Sequence, residues 1–152
     1  SDWSSDVCSS DLWDFYSIFN KEYSNVIKKA AEETGLSVNE ISVLLFLANN
    51  PSADTAADIM RVRKAAKSHI SLAVSQLTEK GCLTQQPGSG RKIHLKLTPS
   101  AEPLIAIGRK KQKQFLDRIF QDFSPSEKEV FLSCFAHIIS NLQEEEDQHG
   151  DR

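Results

Sequence analysis

Most residue patterns that announce a particular chemistry are missing from this chain of 152 residues. It has three cysteines, Cys8, Cys82 and Cys134, an odd number at wide spacing and with no C-x-x-C. That argues against both a disulfide framework and a zinc site, and fits a reducing, cytoplasmic setting. The four histidines, His69, His94, His137 and His149, show no pairing at ligand spacing, so no metal is expected. No apolar run reaches the 18 residues of a membrane-spanning helix, and no basic, then apolar, then small-residue leader is present. Neither a phosphate-binding glycine loop nor a nucleophile–base pattern occurs. Catalysis and a bound cofactor therefore have no support.

The length is that of one domain, with enough apolar content to bury a core. Residues 1–12, SDWSSDVCSSDL, repeat Ser-Ser-Asp without helical or strand period, and the string resembles the translation of a sequencing adapter. They read as a non-native, disordered leader. Strong periodicity starts at Trp13. Phe15, Ile18, Phe19, Val26, Ile27 and Ala30 predict a helix over about 13–33, with Gly35 just past its end. Ser37-Val38-Asn39-Glu40 is a capping-box pattern opening a second helix to about Ala48. Asp54 or Thr55 can cap a third, to about Val62, and a fourth runs from about Ala65 to Lys80. The expected buried stripe of the fourth is Ala66, Ile70, Ala73, Val74 and Leu77.

The period then changes from 3.6 to 2. Residues 82–86 and 92–97 alternate around Pro87-Gly88-Ser89-Gly90, which predicts a β-hairpin. Ser100 can cap a long helix from Ala101 to about Asp122, with Pro103 tolerated in the first turn. Ser124-Pro125-Ser126-Glu127 is a second capping box. The helix it opens, to about Leu142, carries Val130, Phe131, Cys134, Phe135, Ile138, Ile139 and Leu142. Residues 143–152 read as a solvated acidic tail. The fold class is thus mainly α with a small β-hairpin wing: a winged helix-turn-helix at about 37–98, flanked by helices at about 13–33 and 101–142.

Charge is distributed very unevenly. Arg61, Arg63, Lys64, Lys67, Lys80, Arg91, Lys92 and Lys96 stand against one acid, Glu79, giving residues 61–96 a charge of +7. The whole chain carries −3, so the remainder sums to −10. A compact basic island in an acidic protein is the electrostatic footprint of nucleic-acid binding, and here it coincides with the helix-turn-helix and hairpin. With Ala66, Ile70, Val74 and Leu77 inward, the fourth helix turns Lys67, Ser68, Ser71, Leu72 and Ser75 outward, with His69 at the margin. Lys67 can reach a guanine edge, the serines a base edge or phosphate, and Leu72 a thymine methyl. Arg91 and Lys92 on the wing can enter a minor groove or grip phosphate, Arg61 and Arg63 suit the backbone, and Lys64 is a further DNA-binding candidate of the island.

The element order, with Leu77-Thr78-Glu79-Lys80-Gly81-Cys82-Leu83-Thr84 followed by Arg91-Lys92-Ile93-His94-Leu95-Lys96-Leu97-Thr98, resembles the MarR family of winged-helix transcriptional regulators. The resemblance covers about residues 13–142. It departs at Ser89, where the family pattern has a wing aspartate, and at Lys64, where the turn glycine would stand. It implies a transcriptional regulator, more often a repressor, responding to a small aromatic or anionic effector. Independently, the apolar stripes of the flanking helices exceed what one small winged domain buries, which points to a homodimer. Two recognition helices would then address a pseudo-palindromic operator in double-stranded DNA.

Phe15, Phe19 and Tyr23 are the effector-binding candidates, although a dimer core or helix-packing stripe with Tyr16 is the plainer role. Arg109, Lys110, Lys111 and Lys113 read as a solvated face, and Cys82 and Cys134 as buried structural thiols. The rival function is a winged helix used for protein interaction, without specific DNA contacts.

Overall fold

The computed structural model describes residues 11–149, with side chains through Gln143. The order is α1 (Asp11–Thr34), α2 (Val38–Asn49), α3 (Ala56–Arg63), α4 (Lys67–Glu79), β1 (Leu83–Pro87), β2 (Ile93–Leu97), a 3₁₀ turn (Pro99–Ala101), α5 (Glu102–Ile119) and α6 (Pro125–His149). The suspected leader lies outside the described residues except for Asp11 and Leu12, which already belong to α1. Asp11 and Asp14 place negative charge in its first turn, where the helix dipole favours it.

Two compact units are present, one through Phe115 and one from Leu116 onward. In the first, α2 is the centre. The capping box at its start is formed as expected: Ser37 Oγ accepts from the Glu40 amide at 3.1 Å, and Glu40 Oε1 accepts from the Ser37 amide at 3.1 Å. Ile41 and the run Val43–Leu47 are buried, so α2 is apolar almost all round, as a helix enclosed by its neighbours must be. Ile27, Ala30, Ile59, Ile70, Leu77, Leu83, Leu95 and Ile105 close around it. On α5, Gly108 lets the two helices approach closely, since a Cβ there would lie 2.8 Å from Leu45 Cδ2. Adding a methyl would force Leu45 out of place.

Several boundaries differ from the sequence reading for identifiable reasons. α4 begins at Lys67, not Ala65, and Ala66 is its extended N-cap residue (φ −64°, ψ 138°), exposed rather than part of the buried stripe. The helix after the hairpin is preceded by a 3₁₀ turn whose cap is Thr98, not Ser100; Pro99 is tolerated at its start because the first amides lack intrahelical partners. α5 stops at Ile119 instead of Asp122, which adopts φ 64° in the following turn. α6 runs seven residues past Leu142 to His149, so the acidic stretch continues the helix.

Among the described residues, Glu40 is the one charged residue in the core, 3 % exposed. Its second oxygen, Oε2, accepts from Lys80 Nζ at 2.6 Å, tying the start of α2 to the end of α4. Burial alone would push its carboxyl pKa up; the hydrogen bonds from Lys80 and Ser37 outweigh that and hold it below the ordinary value. A folded-state pKa below the unfolded one stabilises the fold at pH above the ordinary range, about 4.3, and the contribution is lost as pH falls further. We expect Lys80→Met to cost about 1–2 kcal/mol at neutral pH, because it strands a buried carboxylate beside a half-exposed partner site. The loss should shrink below pH 4 in denaturant titrations; a pH-independent loss would show that packing of the Lys80 stem is what matters.

Candidate nucleic-acid interface

The interface is assembled from α3, the turn after it, α4 and the hairpin. Thr55 caps α3 in a second reciprocal box, accepting from the Asp58 amide at 3.2 Å while Asp58 Oδ2 accepts from the Thr55 amide at 3.2 Å. Lys64 ends the helix in the left-handed region (φ 50°, ψ 34°). A non-glycine residue costs about 1 kcal/mol there, so the tight connection to α4 is maintained by packing on both sides. Ala65 is half-buried against the core.

Within α4, Ile70, Ala73, Val74 and Leu77 are buried, and the helix is thereby fixed in rotation. Ser68, Ser71, Leu72 and Ser75 are exposed on the opposite face, and Lys67 and His69 are exposed at its margins. Leu72, 59 % exposed, has no packing role that would explain a leucine there. The face combines one cation, hydroxyl groups and a methyl-bearing side chain. It can donate to and accept from base edges and contact a thymine methyl.

β1 and β2 pair antiparallel in the register Leu83↔Leu97 through Pro87↔Ile93. Leu83 and Leu95 anchor the hairpin in the core while the tip, Gly88–Lys92, projects. Gly88 N donates to the Lys92 carbonyl at 2.8 Å, and Gly90 supplies the φ of +67° that the turn requires. Arg91 and Lys92 are exposed on this tip, as the sequence suggested.

The basic island is partly engaged within the chain, which the sequence did not reveal. Arg61 pairs with Asp58 at 3.0 Å, and the Arg63 guanidinium sits 5.8 Å from the Phe46 ring centroid. Lys80 is held by Glu40. Asp58 sits below the usual carboxylate range chiefly because the Thr55 hydroxyl donates to it, with the positive charges of Arg61 and Lys92 adding. Lys92 is therefore close enough to α3 to be felt there. Lys64, Lys67, Arg91, Lys92 and Lys96 are exposed, and the first four, on the turn, the start of α4 and the wing tip, are the cations best placed for an external anion. The Thr55-x-x-Asp58 spacing could have been read as a capping box; the long-range pairings had no local signal.

A family model described as the MarR family matches residues 34–92, the stretch from the end of α1 to the wing tip. No curated protein matches. Among solved structures, a MarR-family transcriptional regulator from Silicibacter pomeroyi superposes with a TM-score of 0.72 at 20 % identity, covering 84 % of this chain and 86 % of its own. A protein described as a MarR family transcriptional regulator from Listeria monocytogenes, complexed with a 26-mer DNA, gives 0.76 at 11 % identity, covering 95 % and 99 %. The S. aureus MepR–DNA complex gives 0.66 at 15 %, covering 84 % and 94 %. The chain has the MarR winged-helix fold.

Within this MarR-type frame the aromatic candidates form a packed row. Phe19 lies 5.7 Å from Phe15, 6.2 Å from Tyr23 and 5.4 Å from Phe115 between ring centroids. Tyr23 Oη accepts from Gln112 Nε2 at 2.8 Å. The rings of Phe15, Phe19, Tyr23 and Phe115 thus pack on one another, while Tyr16 is exposed. Arg109 is not the solvated lysine-like residue it resembled: its guanidinium donates to the Ala48 carbonyl at 2.9 Å and to Asn49 Oδ1 at 3.3 Å, capping the C-terminus of α2. Lys111 pairs with Glu33 at 2.7 Å.

Cys82 is buried, and its burial raises the thiol pKa, so it is a poor nucleophile. Cys134 is exposed on α6 of this single chain, contrary to the buried thiol expected. The reason is that the whole apolar stripe around it is exposed too.

Proposed function

We propose that the protein is a homodimeric regulator of transcription that binds specific sites in double-stranded DNA. Residues 37–98 are its DNA-binding module, and the helices at 13–33 and 101–142 are its dimerisation elements. One observation carries the reading: a fully exposed helix face bearing Lys67, Ser68, Ser71, Leu72 and Ser75 stands beside a projecting tip bearing Arg91 and Lys92, inside a +7 stretch of a −3 chain. The fold shared with the two proteins solved with DNA supports it. In this reading α4 lies in the major groove, Lys67, Ser68, His69, Ser71, Leu72 and Ser75 face base edges and flanking phosphates, and Arg61, Arg63, Lys64, Arg91 and Lys92 hold the backbone. A dimer seated across an operator excludes other proteins from that DNA, the simplest route to repression. A small aromatic or anionic effector acting near Phe15, Phe19 and Tyr23 would alter the spacing of the two recognition helices.

The test is titration of the full chain with random-sequence duplex at several salt concentrations. Each neutralised phosphate contributes roughly −0.9 to the slope of log affinity against log salt. Of the five backbone cations, Arg61 and Arg63 are already engaged by Asp58 and the Phe46 ring; the other three per protomer, Lys64, Arg91 and Lys92, give an expected slope of about −5 for a dimer. A flat or absent response would favour a winged helix that binds protein instead.

A further inference from the structure

A two-stranded hairpin with five residues in each strand is marginal on its own, so the direction of the wing depends on what holds it from outside. Asp54, in the loop before α3, holds β2 twice. Its carbonyl accepts from the Leu95 amide at 2.7 Å, and its carboxylate Oδ1 lies 2.8 Å from His94 Nδ1. Consecutive strand residues face opposite ways, so Leu95 enters the core while His94 turns to the side where Asp54 and the tip lie. The other edge of the His94 ring rests on Gly88, where a Cβ would fall 2.5 Å from Nε2 and 2.6 Å from Cδ2. The imidazole is therefore wedged between the loop before α3 and the first residue of the tip. Gly88 in turn bonds the Lys92 carbonyl, one residue beyond Arg91. An open cleft of about 870 Å³ separates the start of α3 from the wing, with Asp54, Asp58 and Arg61 on one side and Arg91, Lys92 and His94 on the other.

We propose that Asp54 and His94 form a brace that sets the orientation of the wing, and so of Arg91 and Lys92, toward nucleic acid. Both are positioning residues, acting through the tip. The role toward DNA rests on the DNA-binding reading above; the brace itself is a property of the free protein. Charge and brace predict opposite signs for one variant. Asp54→Ala removes a negative charge beside the basic tip, which by electrostatics alone strengthens duplex binding. If the brace orients the wing, the same change weakens it.

The experiment measures binding of random-sequence duplex and amide hydrogen exchange of Gly88 and Leu95, using the full chain and the variants Asp54→Ala, His94→Leu and His94→Asn. Asp54→Ala and His94→Leu should each speed exchange at Gly88 and weaken binding roughly 2- to 10-fold, the size expected of one hydrogen bond. The double variant should lose no more than either single one. His94→Asn keeps a donor near the position of Nδ1 and should restore both readouts toward the parent. Tighter or unchanged binding by Asp54→Ala, with unchanged exchange at Gly88, would overturn the brace. Absence of duplex binding by the unmodified chain would instead overturn the DNA-binding reading and with it the role toward DNA, while exchange at Gly88 still decides whether the brace exists.

Discussion

Replacing Ile138 with Asp is expected to separate the protein into monomers and to weaken duplex binding by two orders of magnitude or more. On α6, Val130, Phe131, Leu132, Phe135, Ile138, Ile139 and Leu142 are all between 40 % and 65 % exposed in the single chain. Phe131 and Phe135 stack at 5.8 Å with their planes 13° apart, presenting a continuous apolar surface. A patch of this kind on one helix marks an interface. The homodimer we propose buries it against a second copy across a two-fold axis. A carboxylate at position 138 would be taken out of water in that interface without a partner, which costs several kcal/mol and prevents association. In the single chain Ile138 is 53 % exposed, so the same change leaves the protomer fold intact, within about 0.5 kcal/mol. Loss of the dimer removes the second half-site contact, and the effective concentration it supplies is worth about 10²–10⁴ in affinity. Sedimentation velocity and duplex titration of the same sample check the two effects together. An Ile138→Asp protein that remained dimeric and bound DNA undiminished would place the interface elsewhere.

Lys67→Ala should cost about 1–3 kcal/mol on a preferred site and relax preference at one position in each half-site. Lys67 is the first residue of α4, exposed, and on a helix whose rotation the buried Ile70, Ala73, Val74 and Leu77 hold fixed. A cation placed that rigidly can distinguish a guanine edge from its alternatives. Arg91 follows Gly90 on the exposed tip of the wing, which in the proposed docking lies along the phosphate backbone. Arg91→Ala should therefore weaken binding to all sequences similarly and lower the salt slope by about one charge per protomer. Site selection from random duplexes, run on both variants, reads the two effects separately. The division of labour between helix and wing is wrong if Arg91→Ala shifts the selected sequence while Lys67→Ala weakens all sites alike.

Local signals in the sequence determined a good deal of this protein. A serine followed three residues later by glutamate determined where α2 and α6 begin, because each reciprocal cap is closed within one turn. The change of apolar period from 3.6 to 2 located the hairpin between α4 and α5, since the two backbones repeat differently. The concentration of basic residues in 61–96 is likewise a property of the chain before it folds. What each of those charges does was decided only by tertiary structure. Lys80 counts toward the island in the sequence, yet it is bound to Glu40, forty residues away. Arg109 resembles its lysine neighbours but caps α2 across 61 residues, and His94, unpaired at any ligand spacing, meets Asp54 across 40. Local periodicity carries no information about such partners, because the packing of α4, α5 and β2 onto α2 is what brings them within reach. The same holds for the stripe on α6: its apolar spacing was legible, but hydrophobic burial is non-directional, so the spacing could not say whether the fold of the chain would cover it, and the fold leaves it exposed.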